Sequence, residues 1–499
     1  MKLLLTPILA CVLVCPVLCQ LSEKPEQSKD DKASAAMTLA ETKVDRTVVL
    51  PSGKLDYVAT AAQIPLKTRE GEVECRMFYV SYEKRGASPG TRPVTFAFNG
   101  GPGSASIWLH MGSLGPKRAP MLPDGSLPAP PYSPEDNMDT WLDFTDVVMV
   151  DAPACGYSRL AKPDLGSKFF GVREDIEAFT RFVKDWLSKH QRWSSPLFIA
   201  GESYGGIRGS GLCRSLFGQG IAVNGFISIS GSNNFLTLDG MRGNDSTFIG
   251  FLPSMAACAW YHKKLDSRFK TVDQVVRESE KWVEDEYGPA LLRGDSLTPA
   301  EKQKIADKMA SFLGISSKFC MGSNLRVTEW MFFKELLREE GLSIGRFDGR
   351  LTVKEELKVG NQEANDPSDD AVTAPFTASL HDYFQRDLGI KTDMQYLNYG
   401  DLTGWKSPEG SYPETSSDLR ALLAANQHFR VLFCCGYYDL ACPLYASIYT
   451  INHMGLDPET RSHVSFAYYP AGHMMYIEQG SRKKFHDDVR TFVLDCLKS

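Results

Sequence analysis

The chain has 499 residues, 43% of them hydrophobic and 23% charged, so it can bury a large core and is not intrinsically disordered. Its 55 basic and 61 acidic residues give a net charge of −6 without a basic patch, which argues against nucleic acid as a partner.

The N-terminus carries an apolar run over residues 3–18 that is too short for a membrane span. This pattern predicts a signal peptide over residues 1–19, with cleavage after Cys19. A lipoprotein anchor is the less favoured alternative, because Leu18 is bulky. We therefore expect a secreted or periplasmic protein without stable membrane insertion after signal removal. Residues 20–43, rich in Glu, Lys, Ser and Ala, predict a mobile linker.

Strand and helix patterns alternate over residues 44–240, the predicted first part of the core. Asp146–Val150 and Gly225–Ser230 are short apolar runs typical of buried strands. Arg173–His190 has the apolar spacing of an amphipathic helix. This alternation predicts an α/β fold with a mostly parallel central sheet covered by helices.

A glycine-rich loop follows the predicted strand Phe96–Phe98. Acyl transfer through a tetrahedral intermediate needs backbone N–H donors, and glycines allow the main chain to approach the reacting oxygen. Gly101 and Tyr204 are the predicted oxyanion-hole donors. Two glycine patterns bind the phosphates of nucleotides: a loop followed by Gly-Lys-Ser/Thr, and Gly-x-Gly-x-x-Gly at the start of a helix. Neither pattern is found here, so a nucleotide is not expected.

The stretch Gly201-Glu202-Ser203-Tyr204-Gly205 directly follows the apolar run Leu197–Ala200. A Gly-x-Ser-x-Gly placed after a strand predicts a nucleophile elbow, a sharp turn that presents the serine hydroxyl at the carboxyl end of a sheet. Ser203 is therefore the candidate nucleophile.

The pattern changes over residues 241–395, where few strand-like runs occur. Thr271–Tyr287, Thr298–Leu313 and Leu325–Glu340 are predicted helices. A mainly helical insertion at this point predicts a cap that shapes substrate access. Within it, the turn-like run Gly345–Arg350 is interpreted as a structural loop without a catalytic task.

Residues 396–499 form the predicted second part of the core. Arg430–Cys435 and Val464–Tyr469 are predicted strands, and Asp439 and His473 follow them. Loops beyond neighbouring parallel strands share one edge of a sheet, so both side chains can meet the serine there. The histidine would take the serine proton, and the aspartate would orient and stabilise the imidazole.

Several motifs resemble those of the serine carboxypeptidase family. They are Asn-Gly-Gly-Pro-Gly at 99–103, Gly-Glu-Ser-Tyr-Gly-Gly at 201–206, Asp439-x-x-Cys442 and Gly472-His473-Met474. The resemblance implies an α/β-hydrolase fold with a helical cap between nucleophile and acid. It also implies hydrolysis of C-terminal peptide bonds through an acyl-enzyme on Ser203, favoured at acidic pH. Peptide or protein C-termini would be the substrates, and no cofactor or metal is expected.

The resemblance also implies that Asn99, Gly100 and Glu202 bind the free carboxylate of the substrate. A carboxyl can bind a carboxylate only when one of the two carries a proton. The family's second Glu, which helps to keep the first protonated, is Ser113 here. This difference predicts a less elevated pKa of Glu202 and a higher or broader pH optimum.

Cys442 and Met474 are possible pocket-lining residues. Some relatives carry a free thiol beside the site at the position of Cys442, but a buried cysteine can equally act as a small hydrophobe. Met474 could line the leaving-group pocket or simply pack against the loop.

Two alternatives to a carboxypeptidase stay open. An esterase or acyltransferase could use the same scaffold, and Ser113 keeps this option open. A non-catalytic binding protein with a hydrolase fold is the second, although the intact Ser203, Asp439 and His473 argue against it. The sequence leaves the side-chain preference and the oligomeric state unassigned.

Overall fold

A ten-stranded, mostly parallel sheet organises the molecule. The structure is a computed structural model that describes residues 38–361 and 365–498. The strands are β1 Thr42–Leu50, β2 Gly53–Lys67, β3 Val73–Lys84, β4 Val94–Phe98, β5 Lys117–Arg118, β6 Glu135–Asp136, β7 Asp146–Val150, β8 Arg159–Leu160, β9 Leu197–Glu202, β10 Gly225–Ile229, β11 Leu342–Ile344, β12 Thr352–Lys354, β13 Arg430–Gly436 and β14 Val464–Tyr469.

Helices cover the sheet and fill the region between β10 and β13. The longer ones are α1 Val172–Lys189, α2 Gly205–Gly218, α3 Ser246–Tyr261, α4 Val272–Trp282, α5 Pro299–Leu313, α6 Pro367–Asp382, α7 Ser416–Ala425, α8 Leu444–Asn452 and α9 Gln479–Cys496. Shorter α-helices span Ile107–Leu109, Gly288–Arg293, Ser317–Gly322, Glu329–Glu335 and Pro458–Arg461.

The strand order in the large sheet is β1-β2-β3-β7-β4-β9-β10-β13-β14, and the short β8 pairs with β3. The first strands run antiparallel, whereas every pairing from β7 to β14 is parallel. The carboxyl ends of β4, β9, β13 and β14 therefore meet at one edge, and each leads into a loop with a predicted site residue.

Local sequence patterns explain these elements. The predicted apolar face of α1 is confirmed, because Ile176, Phe179 and Trp186 are all buried. At the start of α5, the Thr298 hydroxyl accepts the N–H of Glu301, whose carboxylate accepts the N–H of Thr298 in return. Such a capping box satisfies donors that the first helical turn leaves unpaired.

The region predicted as a cap contains α3 to α6, together with the β11–β12 hairpin, which the sequence did not predict. The run Gly345–Arg350 is the turn between these two short strands. Of the helices predicted in this region, Leu325–Glu340 is shorter in the structure, where the α-helix spans Glu329–Glu335. The predicted helix Thr271–Tyr287 has regular α-geometry only up to Trp282. The role of this region as a cap stays a prediction.

The N-terminal predictions concern residues that lie mostly outside the described part. The signal peptide 1–19 and most of the linker 20–43 fall there, while β1 begins at Thr42, two residues before the predicted core boundary. Leu39 onward belongs to one compact unit. Among the described helices, none is both long and apolar enough to cross a bilayer.

Candidate active site

Ser203 lies at the turn between β9 and α2. Its φ of 62° places it in the left-handed region, where a side chain other than glycine is strained. The turn closes tightly, because a Cβ atom on Gly201 would lie 2.2 Å from the carbonyl oxygen of Gly205. The Ser203 N–H donates to the carbonyl of Ile229 at 3.0 Å, which ties the turn to β10. The predicted nucleophile elbow thus has the expected geometry.

Asp439 and His473 come together at the same edge of the sheet. Nδ1 of His473 and Oδ2 of Asp439 lie 2.8 Å apart, and both side chains are buried. The other carboxylate oxygen of Asp439 accepts the backbone N–H groups of Ala441 and Cys442, at 2.8 and 2.9 Å. These contacts fix the carboxylate, and His473 lines the cavity that Ser203 also lines.

The charge around the imidazole favours its protonated form. Burial alone would lower the pKa of His473, but Asp439 and Glu202 outweigh it and raise that pKa above the ordinary value. The Ser203 hydroxyl contacts the Cys442 sulfur at 4.0 Å, and no hydrogen bond joins it to His473 within the described structure. Hydrogen bonds of this kind often tighten only in the substrate complex.

The glycine loop after β4 packs directly against the Ser203 turn. A Cβ atom on Gly100 would lie 2.5 Å from the backbone nitrogen of Tyr204, so only glycine fits there. Gly101 adopts a φ of 104°, which also favours glycine. The two predicted oxyanion donors, Gly101 and Tyr204, therefore belong to adjacent loops, and Gly101 lines the same cavity as Ser203.

Arg208 on α2 binds this loop from the protein interior. Its guanidinium donates to the backbone carbonyls of Asn99 and Pro102, at 2.6 and 3.1 Å, and to the Asp175 carboxylate at 2.8 Å. The Arg208 side chain is fully buried and Asp175 is 3% exposed, so the pair is shielded from solvent. One cation thus joins the glycine loop, the nucleophile helix and α1.

Glu202 is buried beside Ser203, the predicted nucleophile, and accepts two hydrogen bonds. The Asn99 amide donates to Oε1 and the Tyr476 hydroxyl donates to Oε2, each at 2.7 Å. Burial raises the pKa of Glu202 to about 7, although these two donors and His473 favour the ionised form. A carboxyl with this pKa is mostly protonated in weakly acidic solution.

Tyr476 is the site residue that the sequence analysis missed. Its ring packs where a Cβ atom on Gly112 would lie 2.3 Å away, next to Ser113 in the chain. Ser113 itself is fully buried and its hydroxyl has no hydrogen-bond partner among the described residues. Thus Tyr476, rather than a second carboxyl, is the neighbour of Glu202. Burial raises the pKa of Glu202 with Ser113 in this place, and that this pKa is less elevated than in the family stays a prediction.

Ser203, His473 and Glu202 all line one cavity of about 200 Å³. Met474 lines it, whereas Cys442 is buried and is not part of its wall in the described structure. The wall is formed by Asn99, Gly100, Gly101, Ser104, Trp108, Glu202, Ser203, Arg346, Phe347, Asp369, Val372, Tyr399, His473 and Met474. Over residues 38–361 and 365–498, no group of His, Cys, Asp and Glu side chains is arranged to hold a metal ion.

The strand order and the placement of Ser203, Asp439 and His473 after β9, β13 and β14 are those of the α/β-hydrolase fold, which confirms the predicted fold class. Among solved structures, Kex1Δp, a prohormone-processing carboxypeptidase from Saccharomyces cerevisiae, is similar in fold. The TM-score is 0.52 at 15% identity, and the match covers 88% of this chain and 92% of that one.

Residues 66–231 match the family model described as serine carboxypeptidase. Serine carboxypeptidase-like 13 of Arabidopsis thaliana is 26% identical over 140 residues, which is 28% of this chain and 31% of that protein. Serine carboxypeptidase S10 family member 1 of Dictyostelium discoideum is 31% identical over 132 residues, or 26% and 29% of the two chains. This segment is therefore similar to the serine carboxypeptidase family, and the resemblance seen in the motifs is confirmed.

These alignments span less than a third of the length of the curated relatives. The family-matched segment contains the glycine loop and the Ser203 turn, whereas Asp439 and His473 lie beyond residue 231.

Replacing Arg208 with Met should lower the free energy of unfolding by about 3–5 kcal/mol, because Asp175 would keep an uncompensated buried charge. Denaturant unfolding measures this loss. The double variant Arg208→Met/Asp175→Leu should recover part of the stability. A loss as small as that of the exposed control Arg386→Met would contradict the interpretation.

Replacing Tyr476 with Phe should raise the pKa of Glu202 further, because a donor that favours the ionised carboxylate is lost. The titration of the Glu202 carboxyl, followed by NMR, should move up by about one pH unit, the size of one hydrogen bond to a charged acceptor. The control Tyr287→Phe removes a buried hydroxyl that donates to the Leu325 carbonyl, far from Glu202 in sequence. A shift to lower pH in Tyr476→Phe would refute this role.

An organomercurial should inhibit the protein by modifying Cys442. The Cys442 sulfur lies 4.0 Å from the Ser203 hydroxyl, so a bulky adduct on the sulfur would displace the hydroxyl. Burial raises the pKa of this thiol, so the reaction should be slow. Activity assays after incubation measure the loss. Cys442→Ala should make the protein resistant and Cys213→Ala should not; persistent inhibition of Cys442→Ala would rule out this site.

Proposed function

We propose that this protein is a serine carboxypeptidase that hydrolyses the C-terminal peptide bond of peptides or proteins. The observation that carries the proposal is Glu202, a buried carboxyl of pKa about 7 next to the nucleophile turn. A protonated carboxyl at this place can donate a hydrogen bond to the free carboxylate of a substrate.

The proposed reaction begins with attack of Ser203 Oγ on the carbonyl carbon of the last peptide bond. His473 accepts the serine proton, and Asp439 stabilises the resulting imidazolium through the contact at Nδ1. The backbone N–H groups of Gly101 and Tyr204 stabilise the negative oxygen of the tetrahedral intermediate.

Collapse of the intermediate breaks the peptide bond and leaves an ester on Ser203. His473 returns its proton to the departing amine, which leaves as the free C-terminal amino acid. A water molecule then attacks the ester, with His473 again as base, and releases the shortened peptide. These steps balance without a metal or organic cofactor.

Recognition of the substrate carboxylate is assigned to Glu202, the Asn99 amide and the Gly100 N–H. Asn99 already donates to Glu202, so the two side chains form one preorganised surface. Arg208 fixes the backbone of Asn99 from behind, which keeps this surface aligned with Ser203.

The protonation states needed for this reaction oppose each other. Glu202 must be protonated to bind a carboxylate, which favours pH values below about 7. His473 must be neutral to accept a proton, and its raised pKa means that activity falls as pH decreases. A free-acid substrate should therefore give a bell-shaped profile, with a maximum at weakly acidic pH.

Export to the periplasm or outside the cell is part of the proposal and depends on the signal-like residues 1–19. An esterase or acyltransferase is the second candidate. The observation that favours it is Ser113, which leaves Glu202 without a carboxyl partner.

The deciding experiment compares an N-blocked dipeptide with its C-terminal amide from about pH 4 to 8. The free acid should be strongly preferred below pH 7, and its kcat/KM should fall about tenfold per pH unit above the pKa of Glu202. The amide should lack this high-pH limb, since it does not need protonated Glu202.

Ser203→Ala should abolish both reactions and labelling by a fluorophosphonate, whereas the exposed control Ser311→Ala should retain them. Equal cleavage of the free acid and the amide, or cleavage of esters alone, would instead support an esterase or acyltransferase. Absence of fluorophosphonate labelling in the wild type would favour a non-catalytic binding protein.

A further inference from the structure

The turn Gly345–Arg350, which the sequence left without a task, forms part of the cavity wall. The Phe347 carbonyl accepts the backbone N–H of His473 at 2.6 Å, and the two rings lie 5.2 Å apart between centroids. The Phe347 N–H donates to the Ser368 hydroxyl at 2.9 Å, which ties the turn to the start of α6. Phe347 therefore fixes the middle of the turn between His473 and the start of α6.

Arg346 brings a positive charge into this wall. Its side chain is half-buried and lines the same cavity as Ser203 and Glu202. The guanidinium carbon lies 5.0 Å from the centre of the Phe347 ring, a cation–π distance. The guanidinium is thus positioned over the ring that itself packs on His473.

No described residue forms a hydrogen bond or an ion pair with the Arg346 guanidinium. The other arginine of the turn, Arg350, differs because it pairs with the Asp348 carboxylate at 2.6 Å. Guanidinium groups carry several N–H donors in a planar fork that matches a carboxylate. Arg346 therefore presents an unused set of donors to the cavity.

The remaining charges of the wall do not neutralise this cation by direct contact. Asp369 accepts the Tyr399 hydroxyl at 3.3 Å, and burial together with Asp366 raises its pKa. Glu202 is already bonded by Asn99 and Tyr476. A second carboxylate, brought by the substrate, would complete the partners of Arg346.

We propose that Arg346 is a specificity-determining residue that binds an acidic side chain of the substrate next to the scissile bond. This inference rests on the proposed carboxypeptidase function and adds a substrate class to it: peptides with Glu or Asp at the C-terminal or the penultimate position. Glu202 would bind the main-chain carboxylate, while Arg346 binds the side-chain carboxylate.

The test uses two sets of N-blocked dipeptides, Phe-Glu, Phe-Gln and Phe-Lys, and Glu-Phe, Gln-Phe and Lys-Phe. In one of the sets the wild type should favour the Glu peptide over the Gln peptide by about tenfold in kcat/KM, the size of one charge-assisted hydrogen bond in a half-buried site. The set that shows the preference identifies whether Arg346 binds the side chain of the C-terminal or of the penultimate residue.

Arg346→Gln should bring the Glu-to-Gln ratio close to one, Arg346→Lys should retain part of it, and Arg346→Glu should favour the Lys peptide. The matched control Arg386→Gln changes an exposed arginine in the same inserted region and should keep the wild-type ratio. Ratios within one variant cancel any general loss of folded or active protein, so a purely structural role of Arg346 would leave them unchanged.

Wild-type cleavage of all peptides without an acidic preference, or a preference that survives in Arg346→Gln, would overturn this inference and leave the carboxypeptidase function intact. Failure of the wild type to cleave any of these free-acid peptides, despite fluorophosphonate labelling of Ser203, would overturn both.

Discussion

The buried ion pair between Arg208 and Asp175 is the interaction on which the site depends. The guanidinium lies among the rings of Phe98, Phe179 and Tyr204, at 5.2, 4.5 and 5.3 Å from their centres. In such an environment a charge is tolerated only when it is paired and hydrogen-bonded. The other N–H groups of Arg208 donate to the backbone carbonyls of Asn99 and Pro102 in the glycine loop. Because the buried guanidinium requires these partners, it fixes the loop to α2.

That constraint supports the proposed chemistry because one loop carries the predicted oxyanion donor Gly101 together with Asn99 and Gly100 of the predicted carboxylate site. A loop held by backbone carbonyls cannot drift from Ser203 without leaving the Arg208 donors unpaired. Preorganised donors cost no rearrangement when charge develops in the transition state. The same rigidity aligns Asn99 with Glu202, so the proposed substrate binding and acyl transfer would both depend on a single anchored segment.

Electrostatic balance in the cavity is set by burial as much as by partners. Removal from water raises the pKa of Glu202, and the nearby Asp439 and Glu202 carboxyls raise that of His473. A tyrosine hydroxyl can donate to a carboxyl but does not share a titrating proton with it as a second carboxyl would. Burial therefore raises the pKa of Glu202 to about 7 although the Tyr476 hydroxyl stabilises the ionised carboxylate.

The sequence alone determined the strands that precede Ser203, Asp439 and His473, and hence the position of these residues after them. Each of the three follows a short apolar run, and the turn residues have strict local requirements. It also determined the parallel sheet, through the alternation of strand and helix periods. Only the tertiary structure decided the neighbours of Glu202 and the orientation of the Gly345–Arg350 turn. Tyr476 is 274 residues away from Glu202 in the chain, and no local pattern encodes contacts over such separations. Burial, pKa and the unpaired charge of Arg346 depend on those contacts, so they emerge only when the chain is folded.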